Sequence, residues 1–436
     1  MRRFVLSLLM FALVSITPSV AQDSIADNHS RIKSSGKYSP FDNGHSDFGY
    51  FRKVYSDAGG PRFMVADEND NFRFGIGGTI HATMFFDFNG SLEGSSFTTW
   101  NIPVPTDYAG QSGLTMGSSK LNFKAIGKLG GKQMVAFVEI GVGTSTGNAI
   151  NLRHAYFSYG GLTVGHTYSF FMDLAAGPMT VDLQGPNTQI SIRHPLIGYT
   201  FKFGNHWKLA AALERQELKI NASSSAGVSD EFQECPDIAF NTSYTFDRGH
   251  LQLAALLRYL YYYRNSPLSS TSERSGTKLD VGFGGALSGS FNFTKNTSLS
   301  FQSVVGRGVG AYIQDLSESK LDLINMVTSD SASVLKTAPM YGGYFSVQHN
   351  WTQRLVSSLI YGYVHLYHMP GYVYNYDDCY NFNSSHYVAA NLFWNVSDYF
   401  IVGVEYLYGV RQNVFADGSY DSGHANRVDL MLSYSF

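Results

Sequence analysis

The chain is poor in what most soluble enzymes and helical membrane proteins need. It has two cysteines in 436 residues, Cys235 and Cys379, so no disulfide framework and no CxxC metal pair can be drawn. Both fall on expected long loops, where a bridge is permitted in an oxidising compartment but not implied. Charged residues make up only 15%, with 31 basic against 34 acidic, and no basic stripe suggests a nucleic-acid partner. A GxxxxGK[ST] loop, a dinucleotide fingerprint and an HExxH helix are missing, which counts against most cofactor enzymes. His81, His206 and His250 are scattered without metal-ligand spacing. Beyond the first residues, no apolar run approaches the roughly 20 that a spanning helix requires.

What is present is aromatic and glycine-rich: 29 Tyr, 32 Phe and 44 Gly in a chain whose mean hydropathy is −0.11. Strands that alternate a lipid face with a water face produce that mixture. Met1-Arg2-Arg3 before the apolar stretch Phe4 to Ile16, then Ser19-Val20-Ala21, reads as a cleaved export signal over residues 1–21. Residues 22–71 are polar and lack both alternation and a heptad, so a periplasmic N-terminal extension is expected there.

From Phe72 to Phe436 the alternation is continuous. Phe72, Phe74, Ile76, Ile80, Met84 and Phe86 share one parity, and Arg73, Thr79, His81, Thr83 and Asp87 take the other. The last segment sets Val428, Leu430, Leu432, Tyr434 and Phe436 against Arg427, Asp429, Met431, Ser433 and Ser435. Side chains of a strand alternate between faces, so each segment is apolar on one side only. Tight Gly, Asn and Asp turns, such as 128–132, 160–161, 204–205, 247–249 and 397–398, alternate with longer loops at about 89–113, 143–149, 169–189, 218–235, 264–276, 312–338, 366–384 and 412–424. Seven turns and eight loops predict an all-β fold, a 16-stranded antiparallel up-and-down transmembrane barrel with its long loops outside. Phe203, Trp207, Phe246, Phe293, Trp351, Trp394, Phe400 and Phe436 all lie beside tight turns or at the end, where a girdle of aromatics belongs.

A cation at mid-membrane on the lipid face costs about 2–4 kcal/mol, which sends Arg258, Lys278, Asp280, Glu405 and Asp429 inward. Lys120 and Lys124 are expected to face the lumen as well. Arg193 resists, because it shares parity with Ile197 and Tyr199, and a bulge near Pro195 would repair it. His154 and His166 also fall on apolar parities, which a subunit interface could shelter.

The segment Phe170-Phe171-Met172-Asp173 through Gln184-Gly185-Pro186-Asn187, with two Gly-Pro steps, reads as a structured, partly buried third loop. Together with Leu152-Arg153-His154-Ala155-Tyr156, Leu162-Thr163-Val164-Gly165-His166-Thr167-Tyr168-Ser169 and Phe74-Gly75-Ile76-Gly77-Gly78-Thr79-Ile80, it resembles the DcaP-like porins, the dicarboxylate-channel family, over residues 72–203. The closing Phe436 is similar to the final aromatic residue of outer-membrane porins. This resemblance implies a homotrimer in the outer membrane of a Gram-negative cell, a third loop folded inward, and passive diffusion of small hydrophilic, often anionic solutes. Carried over by position, it implies a constriction formed by Arg153 and Arg193 with Asp173 and Asp182. The coiled coil that family members carry before the barrel is not detectable in this chain.

Asp87, Glu139, Glu214, Asp237, Asp280, Glu405 and Asp429 also point inward, which leaves the sign of any charge preference open. The expected partners are solutes and membrane lipid, with no cofactor. A hydrolase built on His154, His166 and Ser169 is disfavoured, because no carboxylate on that face would orient the histidines. A non-conducting barrel acting as an adhesin or structural protein through its loops, above all the Ser-rich residues 316–336, is the alternative reading.

Overall fold

The computed structural model describes residues 64–66, 71–90, 92, 95–144, 147–182, 184–218, 220–221, 228–264, 276–327, 333–372 and 380–436. The expected signal, most of the expected periplasmic segment and Cys379 lie outside them.

Sixteen antiparallel strands close into a barrel. They are β1 (Phe72–Asn89), β2 (Ser119–Leu129), β3 (Lys132–Thr144), β4 (Gly147–Tyr159), β5 (Leu162–Tyr168), β6 (Arg193–Phe203), β7 (Trp207–Glu214) and β8 (Asp237–Phe246). The second half is β9 (Gly249–Arg264), β10 (Gly276–Asn292), β11 (Thr297–Arg307), β12 (Pro339–Asn350), β13 (Leu355–Leu366), β14 (Tyr380–Asn395), β15 (Phe400–Phe415) and β16 (Tyr420–Ser435). Closure is made by β1 against β16, with Thr79 opposite Ser435 and Asp87 opposite Arg427. Below that seam Phe436 and Gly78 exchange two backbone hydrogen bonds of 3.0 Å, and Met64–Ala66 pairs with Arg73 to Gly75, so the edge of β1 stays covered where β16 ends. Gly78 is required by this approach: a Cβ there would lie 2.6 Å from the Lys120 carbonyl and 2.8 Å from the Phe436 ring.

Facing follows the alternation. Leu253, Phe283, Val404 and Leu432 are exposed on the outer wall, whereas Arg258, Glu405, Arg427 and Asp429 are wholly buried within. Trp207, Trp351, Trp394, Phe203, Phe293 and Phe436 lie exposed beside the tight turns, and Trp207 packs on Tyr244 at 4.8 Å between ring centres.

Three details differ from the sequence reading. The loops expected at 143–149 and 412–424 are hairpins: β3 runs to Thr144 and β4 begins at Gly147, while β15 runs to Phe415 and β16 begins at Tyr420. Strands that rise above the bilayer have water on both sides, so their polar residues carry no alternation signal. No register shift occurs at Pro195. The shift lies in β4, where Glu139 pairs with His154 and Ile140 with Leu152, leaving Arg153 as the extra residue. That bulge turns His154 inward, where it is buried and its Nδ1 lies 3.1 Å from Thr167 Oγ1.

The bore is filled from three loops. Loop 1 (90–118) places Leu92, Phe97 and Ile102 against inward residues of β13 to β16, including Ile360, Tyr387, Leu407 and Ala425. Loop 3 (169–192) and loop 6 (308–338) share one apolar cluster, in which Phe171, Met172, Ile190, Tyr312, Ile313 and Leu316 pack on Ala239, Leu256, Ala286 and Val304. Above them, Leu323–Val327 and Ser333–Thr337 of loop 6 form a hairpin that pairs in parallel with Ile220–Asn221 of loop 4.

Glycines on the inner wall make room for these loops. A Cβ at Gly198 would meet Phe170, at Gly342 Thr188, at Gly362 Asn187, at Gly403 Val181 and at Gly409 Ile102, each at 2.5–2.9 Å.

Candidate channel constriction

Loop 3 leaves the wall at Tyr168 because β5 stops after seven residues. Glu214 of β7 catches its start, accepting from Ser169 Oγ and from the Phe170 amide, both at 2.7 Å. The loop then runs around the inner wall. Asn241 on β8 donates to Phe170 O (2.6 Å), Gln252 on β9 to Met172 O (3.1 Å), Tyr344 on β12 to Ala176 O (3.3 Å) and Asn391 on β14 to Met179 O (2.8 Å). On β15, Glu405 Oε1 accepts the amides of Val181 and Asp182 at 3.1 and 2.8 Å. On the way back, Gln302 of β11 donates to Thr188 O and accepts from the Ile190 amide. Nine successive strands, β7 to β15, thus lie behind loop 3, and β16 with β1 to β6 complete the ring.

On β2 to β4, cations gather about one carboxylate. Glu139 on β3 is fully buried and meets both Arg153 Nε at 3.1 Å and Lys120 Nζ at 3.9 Å. Lys124 projects inward from β2 and is buried. Arg153 and Arg193 line one cavity of about 380 Å³ with Asn151, His166, Ser191 and Ile192, at the notch above the end of β5. Arg193 keeps the parity of Pro195, Ile197 and Tyr199, which are exposed, and its Nη1 donates to Tyr168 OH at 2.9 Å. It therefore stands at the notch in the wall, while Arg153 reaches inward from the bulge.

The two acidic loop residues are placed differently. Asp173 is pinned to the wall by His250 Nε2 (2.9 Å) and Ser288 Oγ (2.7 Å); although burial opposes ionisation, these partners hold its carboxyl below the usual range. Asp182, at the far end of loop 3, is buried, and desolvation raises its carboxyl to about 6. Arg258 is inward and wholly buried: Asp237 Oδ2 (2.9 Å), Asp322 Oδ1 (2.8 Å) and Gly308 O (2.8 Å) enclose its guanidinium, and the Tyr312 ring lies 5.2 Å away. Glu405 is likewise occupied by loop 3 and by Asn391 Nδ2 (2.7 Å). The structure thus brings Lys120, Glu139, Arg153 and Arg193 together and separates Asp173, Asp182, Arg258 and Glu405 into anchoring roles.

Residues missed from sequence sit where periodicity is silent. Asp315 of loop 6 accepts the Thr99 and Trp100 amides at 3.1 Å and the Thr99 hydroxyl, joining loops 1 and 6. Gln314 joins loops 6 and 3 through Gln189 O and Gln184. Desolvation raises the Asp315 carboxyl to about 7 against the hydrogen bonds that favour its charge. An unfolded Asp titrates near 3.9, so the folded state binds the proton more tightly, and stability is largest below about pH 4 and falls as pH rises towards 7. The expected loss is on the order of 4 kcal/mol. Thermal melts of purified protein between pH 4 and 8 should show this slope, and Asp315→Asn should flatten it.

Comparison with known proteins places this geometry. The model of the DcaP outer membrane protein family matches residues 58–436, well beyond the stretch in which the sequence alone shows the resemblance. The outer membrane channel DcaP of Acinetobacter baumannii superposes with a TM-score of 0.68 at 18% identity, covering 85% of this chain and 99% of that one. An anion-selective porin from Comamonas acidovorans gives 0.52 at 11% identity, with coverage of 84% and 100%. OmpF of Salmonella typhi, solved with daunomycin, gives 0.51 at 12%, with 84% and 99%. At these identities the likeness is one of fold. No curated protein matches the sequence.

Proposed function

Because the chain belongs to the DcaP outer membrane protein family, we propose that its barrel passes small hydrophilic solutes by passive diffusion, with anionic, carboxylate-bearing ones preferred. The family and the porin fold make it an outer-membrane channel; family and neighbours are channels rather than enzymes. The solute preference is the finer reading, and the observation that carries it is the gathering of Lys120 and Arg153 about Glu139 on the inner face of β2 to β4, with Lys124 beside them. Among the described residues, the inward cations Lys120, Lys124 and Arg153 outnumber the carboxylate Glu139 on β2 to β4, and Arg193 stands beside Arg153 at the notch. In a water-filled constriction such a field concentrates anions and repels cations. The residues proposed to set it are Lys120, Lys124, Arg153 and Arg193, while Asp173 and Asp182 hold the loop that narrows the passage. A homotrimer is part of the reading: the low wall at β5, with His166 and Arg193 on outward parity, suits a face covered by another copy rather than by lipid.

Reversal potential in a salt gradient across planar bilayers tests the preference. Wild type should favour anions, and Arg153→Ala should reduce the anion-to-cation permeability ratio roughly fivefold, the size of about 1 kcal/mol between charges partly exposed to water. An unchanged ratio would remove Arg153 from the selectivity site. Absence of channels in wild-type protein would favour the adhesin or structural reading.

A further inference from the structure

Under the far end of loop 3 lies a group of buried acids, in which Glu405 is fully hydrogen-bonded while Asp429 and Asp182 keep oxygens without a partner among the described residues. Glu405 on β15 and Asp429 on β16 are directly opposed in register and both face inward. Like charges so placed repel. Asp182 sits over them, its own amide bound to Glu405. The nearest cation, Arg427, is taken by Asp87, with Nε at 2.5 Å and Nη2 at 2.9 Å from its two oxygens. Among the described residues, both carboxylate oxygens of Asp429, Oδ2 of Asp182 and the hydroxyl of Tyr387 are buried without a hydrogen-bond partner. Asp429 and Tyr387 have no exposed surface at all. Tyr387 feels the charge of Glu405, Asp182, Asp429 and Asp315, which puts its hydroxyl in the same part of the bore.

Burying an ionised carboxylate without a counter-charge costs several kcal/mol, and two bare oxygens on one residue cannot be met by a single neighbouring hydroxyl. We propose that this place is a binding site for a divalent cation of the calcium class, held between Asp429 and Glu405 of the wall and Asp182 of loop 3. The donors are all oxygen, as a hard cation requires. Calcium tolerates an irregular shell of six to eight ligands completed by water, whereas magnesium demands a near-ideal octahedron. Three carboxylates around the place exceed the charge of one divalent ion, so the ion would be retained. Among the described residues no three acidic or histidine side chains already converge at coordinating distance; Asp182, carried on a loop, is the ligand that closes in. Binding would therefore fasten the far end of loop 3 to the seam side of the barrel, where its present polar ties to β15 are the amides of Val181 and Asp182.

Terbium is a suitable probe, since a nearby tyrosine sensitises its emission and Tyr387 is at the site. Full-length protein, purified in detergent and stripped with EDTA, should show sensitised emission that saturates at one ion per chain and is displaced by calcium. Asp429→Asn should weaken binding roughly tenfold or more. Asp182→Asn, a loop substitution outside the wall, should weaken it as well and serves if the wall variant does not fold. In parallel, calcium should raise the unfolding temperature of the stripped wild type. Emission that is absent, or unchanged in both variants, would overturn the proposal, as would an unfolding temperature that responds to pH but not to calcium.

Discussion

Replacing Arg258 by alanine is expected to cost about 3–5 kcal/mol. The guanidinium bridges Asp237 and Asp322, and neither carboxylate has appreciable exposure. Without it two buried negative charges face each other, and Tyr312, whose hydroxyl donates to Asp237 at 2.9 Å, cannot neutralise both. The damage would spread beyond β9. Asp322 also accepts the Ala311 amide, so the base of loop 6 loses its hold on the wall. Heat-modifiable electrophoretic migration and urea unfolding in detergent would read the loss. Double replacement of Arg258 by Met and Asp237 by Asn should recover a substantial part of it, because the penalty comes from unpaired charge and not from the loss of an ion pair as such.

A bulky residue at Gly362 is expected to lower single-channel conductance while leaving the barrel folded. The Cβ of any substitute would stand 2.5 Å from Asn187 Oδ1 and 3.3 Å from Pro186 Cβ. Gly362 is on the wall behind loop 3, so Gly362→Leu can be accommodated only by moving the returning limb of the loop towards the axis. Asn187 would then lose its bonds to Ser385, whose carbonyl and hydroxyl its Nδ2 reaches at 3.1 and 2.9 Å. Overpacking of this kind costs about 1–3 kcal/mol, which a closed barrel of sixteen strands should survive. Conductance unchanged from wild type would mean that the returning limb does not border the passage.

The wall was legible from sequence because its physics is periodic. Every strand segment must present an apolar side to hydrocarbon, and the cost of a misplaced charge fixes the parity of Arg258, Glu405 and Asp429. The bulge at Arg153 was not legible: a one-residue insertion in the pairing shows in sequence only as a phase error, and His154 displays that error without saying which strand absorbs it. The loops obey no period. Asp315, Tyr312 and Asp322 are indistinguishable in sequence from solvent-exposed loop residues, and only the filled bore reveals that they are buried. Asp173 and Asp182 were recognisable as members of the third loop, but their partners His250, Ser288 and Glu405 lie 77, 115 and 223 positions away. Charge pairing across such spans depends on closure of the ring, which no local pattern encodes.

The manner in which the wall grips loop 3 has an evolutionary consequence. Asn241, Gln252, Gln302, Tyr344, Asn391 and Glu405 hold main-chain atoms of the loop, and its side chains are tied to the wall at Ser169, Asp173 and Asn187. A main-chain grip is indifferent to which residues the loop presents to the passage. Apart from those three side chains, the loop can thus be rewritten by point mutation while its mounting stays the same, allowing one scaffold to be adapted to new nutrients without being refolded.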